Sequence, residues 1–135
     1  VADMLRLDLR LTGTTVGCDQ GVCGTCTVIV DGEPVRACLM FAAQLDGAEV
    51  RTVEGLAKDG TLSALQQAFI DEDAVQCGYC TPGFLMLATA ALEHDPFMED
   101  EALDAVVSAN LCRCTGYGPI RRAVRKAAKS GRRST

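Results

Sequence analysis

The pattern of apolar and polar positions changes character near residue 55. Before it, apolar residues come in short β-branched runs broken by Gly and Asp. After it, they recur at three- and four-residue spacing, the period of a helix face. In the first part Thr27-Val28-Ile29-Val30 reads as a strand, and Asp31-Gly32 is a tight hairpin signal. The chain then returns from Val35 as the next strand. Residues 48–53 are a third strand candidate, and 55–60 read as a linker. In the second part Leu62, Leu65 and Phe69 mark one face of a helix over 61–70. Pro82 suits the first turn of another, with Thr81 as its cap. That helix is apolar nearly all round from 84 to 92, so it must be buried on all sides, in its own core or under a partner. A third helix over 99–109 presents Leu103, Val106 and Val107. A fourth over 119–129 sets Ile120, Ala123, Val124, Ala127 and Ala128 on one face and Arg121, Arg122, Arg125, Lys126 and Lys129 on the other. The expected fold class is α+β, with a strand-containing domain over 1–55 and a four-helix bundle over 56–135.

The chain has 135 residues, enough for one medium domain or two small ones. Small domains bury little apolar surface and often rely on metals or cross-links. No apolar run approaches the roughly 18–20 residues of a membrane-spanning helix, so no membrane span is expected. No charged-then-apolar secretory signal opens the sequence. The net charge of −5 conceals an asymmetry: from Thr115 onward there are seven basic residues and no acidic one, against six basic and eighteen acidic before it. The basic face reads as a solvated helix surface with a frayed tail (SGRRST). Nucleic-acid binding is not expected, because no aromatic stacking residues interleave with the basic ones.

The cysteines change this picture most. All eight fall into two sets of four. Cys18, Cys23, Cys26 and Cys38 are spaced C-x4-C-x2-C-x11-C; Cys77, Cys80, Cys112 and Cys114 are spaced C-x2-C-x31-C-x1-C. The C-x4-C-x2-C run is that of a plant-type [2Fe–2S] loop. Gly17, Gly21 and Gly24 stand among its cysteines, where close backbone approach and positive φ let N–H groups turn toward sulfur. In the second set, the long gap holds a helix, a turn and another helix, which returns the chain so that both pairs can meet at one end of a bundle. Alone, that set could be a zinc site; beside a ferredoxin-type loop it reads as a second iron–sulfur site. A disulfide scaffold is the other reading of eight cysteines, but C-x2-C and C-x1-C suit convergence on a metal better than disulfide geometry. Two clusters tied by eight thiolates would also stabilise so small a fold.

The strings LTGTTVGCDQGVCGTCTVIVDG, VQCGYCTPGF and NLCRCTGYGPI resemble the iron–sulfur subunit or domain of the molybdenum hydroxylases, the group of xanthine dehydrogenase, aldehyde oxidoreductase and carbon monoxide dehydrogenase. The resemblance runs from about Met4 to about Ala128. It implies a plant-ferredoxin-like β-grasp domain followed by a four-helix bundle, each with one [2Fe–2S] cluster. It also implies a role as the electron-transfer subunit of an oxidoreductase, passing electrons from a molybdopterin centre through both clusters to FAD or another acceptor, with no substrate site of its own. A large partner subunit would bind molybdopterin and a medium one FAD. Cys77, Cys80, Cys112 and Cys114 would hold the cluster nearer the molybdopterin, and Cys18, Cys23, Cys26 and Cys38 the one nearer the flavin. Gln76 matches a glutamine that hydrogen-bonds the pterin. Members of the group begin with a two-stranded hairpin and most of a helix, of which residues 2–13 resemble only the end, so exposed apolar surface is expected there. The expected location is the cytoplasm, or the periplasm where a targeting signal precedes the segment. The competing functions are a free-standing two-cluster ferredoxin and a zinc-stabilised interaction module.

Other residues carry less. His94 is the single histidine; a Rieske centre needs two, so a surface position is expected. Asp71, Glu72 and Asp73 read as a solvated turn. Met86 and Met98 are expected to pack, as are Tyr79 and Tyr117 beside the cysteines.

Overall fold

The structure is a computed structural model and describes residues 1–131. Strand β1 (Thr27–Val30) pairs antiparallel with β2 (Glu33–Arg36) on one side and β3 (Val50–Arg51) on the other. The hairpin is as the sequence predicts: Asp31 (φ 50°) and Gly32 (φ 88°) both adopt positive φ, the signature of a type I′ turn whose twist matches the strands. Pro34 lies on the edge strand β2, where a missing N–H is tolerated. The third strand is shorter than the expected 48–53. The Asp31 N–H donates to the Glu49 carbonyl and its carboxylate accepts from the Glu49 N–H, both at 2.9 Å, and a 3₁₀ turn over Val53–Gly55 ends the extension.

Being central, β1 is buried along its whole length. Val28 and Val30 face a small core with Ala2, Leu5, Cys26 and Ala37. Ile29 faces the other way and joins the larger helical core. The N-terminal segment makes a π-helical turn over Met4–Asp8, with Leu5 buried and Leu7 and Leu9 62% and 56% exposed.

Four helices follow. Helix α1 (Ala64–Asp71) starts later than expected because Ser63 caps it: its Oγ accepts from the Gln66 N–H, and Gln66 Oε1 accepts from the Ser63 N–H. Leu62 thus lies ahead of the helix and is largely exposed. Helix α2 (Thr81–His94) begins with Thr81 itself; Cys80, not Thr81, is the cap residue, without a side-chain bond. Pro82 sits in the first turn as expected, where its lack of an N–H costs nothing. The apolar α2 is enclosed by this chain: Phe84, Leu85, Met86, Ala88 and Ala90 are buried against the sheet and the other helices. Helix α3 (Asp100–Ser108) buries Leu103 and Val107. Helix α4 (Gly118–Gly131) buries all five residues of its expected apolar face.

The basic face of α4 is not simply solvated. Arg122 reaches Glu72 at 3.0 Å, Lys126 reaches Asp71 at 2.9 Å, and Arg125 reaches Asp104 at 2.9 Å. Asp71 and Glu72 are therefore ion-pair partners at the end of α1 rather than members of a solvated turn. The sequence separations, 21 to 55 residues, hide these pairs from any local pattern. The part of the basic tail after Gly131 lies outside the described residues. Among those described, no helix is long and apolar enough to cross a membrane.

Candidate metal centres

The loop from Gly17 to Cys26 turns back on itself through positive φ at Asp19, Gly21 and Gly24. Its N–H groups point at sulfur: the Cys23 N–H donates to Cys18 Sγ at 3.3 Å. That bond, with others from the Gln20 and Val22 backbone, brings the Cys18 thiol down to about 6. Its neighbour in space is the Cys23 thiol. Cys26 is buried, and burial together with the adjacent Cys38 thiol pushes it up to about 11. Cys38 arrives on a short 3₁₀ turn directly after β2. The need for glycine is steric at Gly17, where a Cβ would lie 3.1 Å from Cys23 Sγ and 3.3 Å from Thr25 Oγ1.

The second set converges as the topology demands. Cys77 and Cys80 lie just before α2; Cys112 and Cys114 lie between α3 and α4. Cys80 neighbours Cys112, and Cys114 neighbours Cys77. Burial, with Cys112 and Cys77 alongside, pushes the Cys80 thiol up to about 12. Burial opposes ionisation of Cys112 too, but there the Thr115 hydroxyl (3.1 Å) and N–H (3.4 Å) reach its sulfur and bring it below the usual thiol range. Cys77 and Cys114 are exposed, as are Gln76, Val75, Tyr79 and Leu111 around them.

Each set thus holds two neighbouring thiol pairs: Cys18 with Cys23 and Cys26 with Cys38, then Cys80 with Cys112 and Cys77 with Cys114. Among the described residues, no three His, Cys, Asp or Glu side chains are gathered as one ion would require. Paired thiols suit a centre of two irons with two thiolates each better than a single tetrahedral zinc. The thiols raised by burial are those that a positively charged iron would discharge on binding. The residues present fit two [2Fe–2S] clusters.

The two sites meet along a narrow seam. The Leu111 N–H, one residue before Cys112, donates to the Cys23 carbonyl at 2.9 Å. Tyr79, between Cys77 and Cys80, donates its hydroxyl to the Val16 carbonyl at 2.7 Å, and Thr15 Oγ1 donates to the Tyr79 carbonyl at 2.8 Å. Gly83 of α2 lies so close to the first loop that a Cβ there would sit 2.8 Å from Thr25 Cα and 2.9 Å from its oxygen. Tyr79 is therefore a cross-brace rather than packing alone. Tyr117 braces the helical site from within its own half: its hydroxyl accepts from the Cys112 N–H at 3.1 Å while its ring meets Phe84 edge-on at 6.4 Å. Sequence reasoning also passed over Thr115 and Arg36; adjacency to the cysteines was the available signal for Thr115, whereas Arg36 had none. His94 is exposed at the far end of α2, about 20 Å along the helix from Cys80 at 1.5 Å per residue, as expected of a surface residue.

A strand-rich loop domain and a helical domain, each converging four thiols, define a two-cluster [2Fe–2S] protein of the α+β class. Comparison with known proteins agrees. A family described as a 2Fe-2S iron-sulfur cluster binding domain matches residues 1–57, and one described as a [2Fe-2S] binding domain matches residues 52–125. The chain is 55% identical over 128 residues to the caffeine dehydrogenase subunit gamma of Pseudomonas sp. (strain CBB1), covering 93% of this chain and 77% of that one. It is 51% identical over 125 residues to the nicotinate dehydrogenase small FeS subunit of Eubacterium barkeri, covering 93% and 80%. The solved structure of quinoline 2-oxidoreductase from Pseudomonas putida 86 superposes with a TM-score of 0.92 at 46% identity, over 98% of this chain and 83% of that one. The chain belongs to the iron–sulfur small subunits of the molybdenum hydroxylase family, and works as the electron-transfer part of a multi-subunit oxidoreductase.

Proposed function

We propose that Cys18, Cys23, Cys26 and Cys38 hold one [2Fe–2S] cluster and Cys77, Cys80, Cys112 and Cys114 the other, with the domain boundary between residues 55 and 56. One-electron uptake and release is the chemistry such clusters supply when bound. The residues of this chain set where electrons enter and leave. Entry is at the helical site, from a molybdopterin held by a large subunit. Exit is through the ferredoxin-type site to FAD on a medium subunit. Gln76 contacts the pterin. The complex is cytoplasmic.

The observation that carries this reading is the pairing of thiols within each set, with the Cys23–Leu111 hydrogen bond joining one set to the other. A second supports the direction of entry: Cys77, Cys114 and Gln76 lie on the surface beside exposed Val75, Tyr79 and Leu111. A docked subunit would cover that apolar ground and exclude water from the helical site. The role of the apolar helix α2 in recruiting a partner falls away, since this chain buries it.

Iron and acid-labile sulfide analysis of the purified subunit should give about four of each per chain, as two [2Fe–2S] sites require. Cys114→Ser or Cys77→Ser should remove one of two EPR signals on reduction, and Cys23→Ser the other. Stoichiometric zinc without sulfide, or loss of both signals from one substitution in folded protein, would overturn the ligand assignment.

A further inference from the structure

Arg36 stands on the seam between the two cysteine sets. It belongs to β2, two residues before Cys38. Its Nη1 donates to the Thr27 hydroxyl, which in turn donates to the Gly24 carbonyl at 2.7 Å. Its Nη2 donates to the Ala109 carbonyl at 2.9 Å, across 73 residues of sequence. Gly24 leaves room for this side chain: a Cβ there would lie 2.8 Å from Arg36 Nη1 and would strike the Asn110 amide. One guanidinium therefore spans the loop of Cys23–Cys26 and the chain that leads from α3 to Cys112.

Like Arg6, which donates to the Thr12 and Thr14 carbonyls, Arg36 makes no ion pair among the described residues. Arg51, Arg121, Arg122 and Arg125 each lie beside a carboxylate. Arg36 meets only a hydroxyl and a carbonyl, and no carboxylate stands within ion-pair distance among the described residues. The Ala109 carbonyl terminates α3, so the negative end of that helix favours a cation there. The side chain is half-buried, which weakens solvent screening of its charge. The Asn110 amide beside it is buried, makes no hydrogen bond and is neutral.

Resting on the ligand assignment above, we infer that Arg36 is a positioning residue for electron transfer, a fixed cation between the two clusters that favours the reduced state of both. A thiolate-ligated cluster is negative and becomes more so by one charge on reduction. Transfer between sites moves one electron, oxidising one cluster and reducing the other, with no bond made and no proton moved. A positive charge common to both sites stabilises the electron at either. It also offsets the repulsion between two electrons held at once.

The test is an EPR-monitored redox titration of the holoenzyme complex carrying Arg36→Lys, Arg36→Gln or Arg36→Met, with iron and sulfide measured on each. Arg36→Gln and Arg36→Met should lower the midpoint potentials of both clusters, while Arg36→Lys, which keeps the charge and loses the fork, should stay near wild type. High salt should narrow the difference between Gln and wild type. Equal shifts for Lys and Gln would reduce Arg36 to a hydrogen-bonding strap. Unchanged potentials, or a shift in only one cluster, would likewise overturn the inference. Loss of a cluster in all three variants would show Arg36 to serve loop assembly instead. Substitution at the ligands tests the assignment on which this rests: that assignment fails where one cysteine change abolishes both signals, whereas the Arg36 inference fails with both signals present and their potentials unmoved, moved at one site only, or moved equally by Lys and Gln.

Discussion

Replacing Gly83 by Ala adds one methyl group where α2 touches the first cysteine loop. The added Cβ would lie 2.8 Å from Thr25 Cα and 2.9 Å from Thr25 O, and nearer still to the Gly24 carbonyl. Carbon atoms settle at about 3.5–4.0 Å, so α2 and the loop must part by roughly an ångström. Both obstacles are backbone, and no rotamer change relieves them. Overpacking costs about 1–3 kcal/mol, and the rigid obstacle argues for the upper end. Alanine recovers about 1 kcal/mol of helix propensity over glycine. The net loss is about 2 kcal/mol, equivalent to a fall of roughly 5–10 °C in the temperature at which the folded protein and its visible absorbance are lost. The same separation would stretch the Cys23–Leu111 hydrogen bond and weaken the magnetic coupling between the reduced clusters. Gly55→Ala is the control: nothing lies within 4 Å of its added Cβ. It should change stability by no more than about 0.5 kcal/mol. The assay is thermal bleaching of visible absorbance with low-temperature EPR of the reduced protein. A Gly83→Ala subunit as stable as wild type with unaltered coupling would refute the argument that backbone contact at this point fixes the seam.

Three further outcomes follow from the same geometry. Gln76→Ala should leave iron content and EPR shape intact but slow substrate-driven reduction of the clusters in stopped flow; unchanged kinetics in an intact complex would make Gln76 a bystander. Tyr117→Phe removes the acceptor of the Cys112 N–H and should cost about 1–3 kcal/mol if that group stays dry, seen as faster loss of the helical-site EPR signal on warming with the other signal unaffected. Glu72→Gln tests the α1–α4 contact. Arg122 and then Lys126 hold the Glu72 carboxylate below its ordinary value of 4.5, so its contribution is present above that pH and disappears as pH falls through the lower folded value. The variant should therefore lose helix signal in circular dichroism less steeply in acid than wild type, and respond less to added salt.

Sequence pattern revealed those parts of the fold that local chemistry governs. The β1–β2 hairpin needed only a β-branched run and a residue pair that tolerates positive φ. The α4 face needed only its period, and every apolar residue on it is buried. The grouping of the cysteines that the structure brings together was legible because their spacing is local for three of four members in the first set and for each pair in the second. What failed locally was decided by distant partners. The strand over 48–53 was cut short where Asp31 captures Glu49. The start of α1 is the exception, a local signal passed over: Ser63 closes a capping box with Gln66 only three residues on. Asp71 and Glu72 looked solvated because the cations that meet them lie about fifty residues away in sequence. Arg36 was silent for the same reason: nothing near it in sequence announces Ala109.

The division into two domains, clean in sequence, understates how firmly the halves are joined. Ile29, from the sheet, belongs to the helical core, and Gly83, from the helices, lies against the loop that carries Cys23 and Cys26. A hinge between halves would expose Ile29, break the Leu111–Cys23 and Tyr79–Val16 hydrogen bonds together, and tear Arg36 from Ala109. Each broken polar link costs about 0.5–1.5 kcal/mol and the exposed side chain about 1.5–3 kcal/mol, so opening the seam would cost several kcal/mol in total. At that cost the open form is well under 1% of molecules at equilibrium, since each 1.4 kcal/mol is a factor of about ten. Electron tunnelling falls steeply with distance, and a pair of sites that stays closed for nearly all the time passes electrons at one defined rate rather than a distribution. The glycine at 83, which costs α2 some of its own helix stability, is what permits that closed seam.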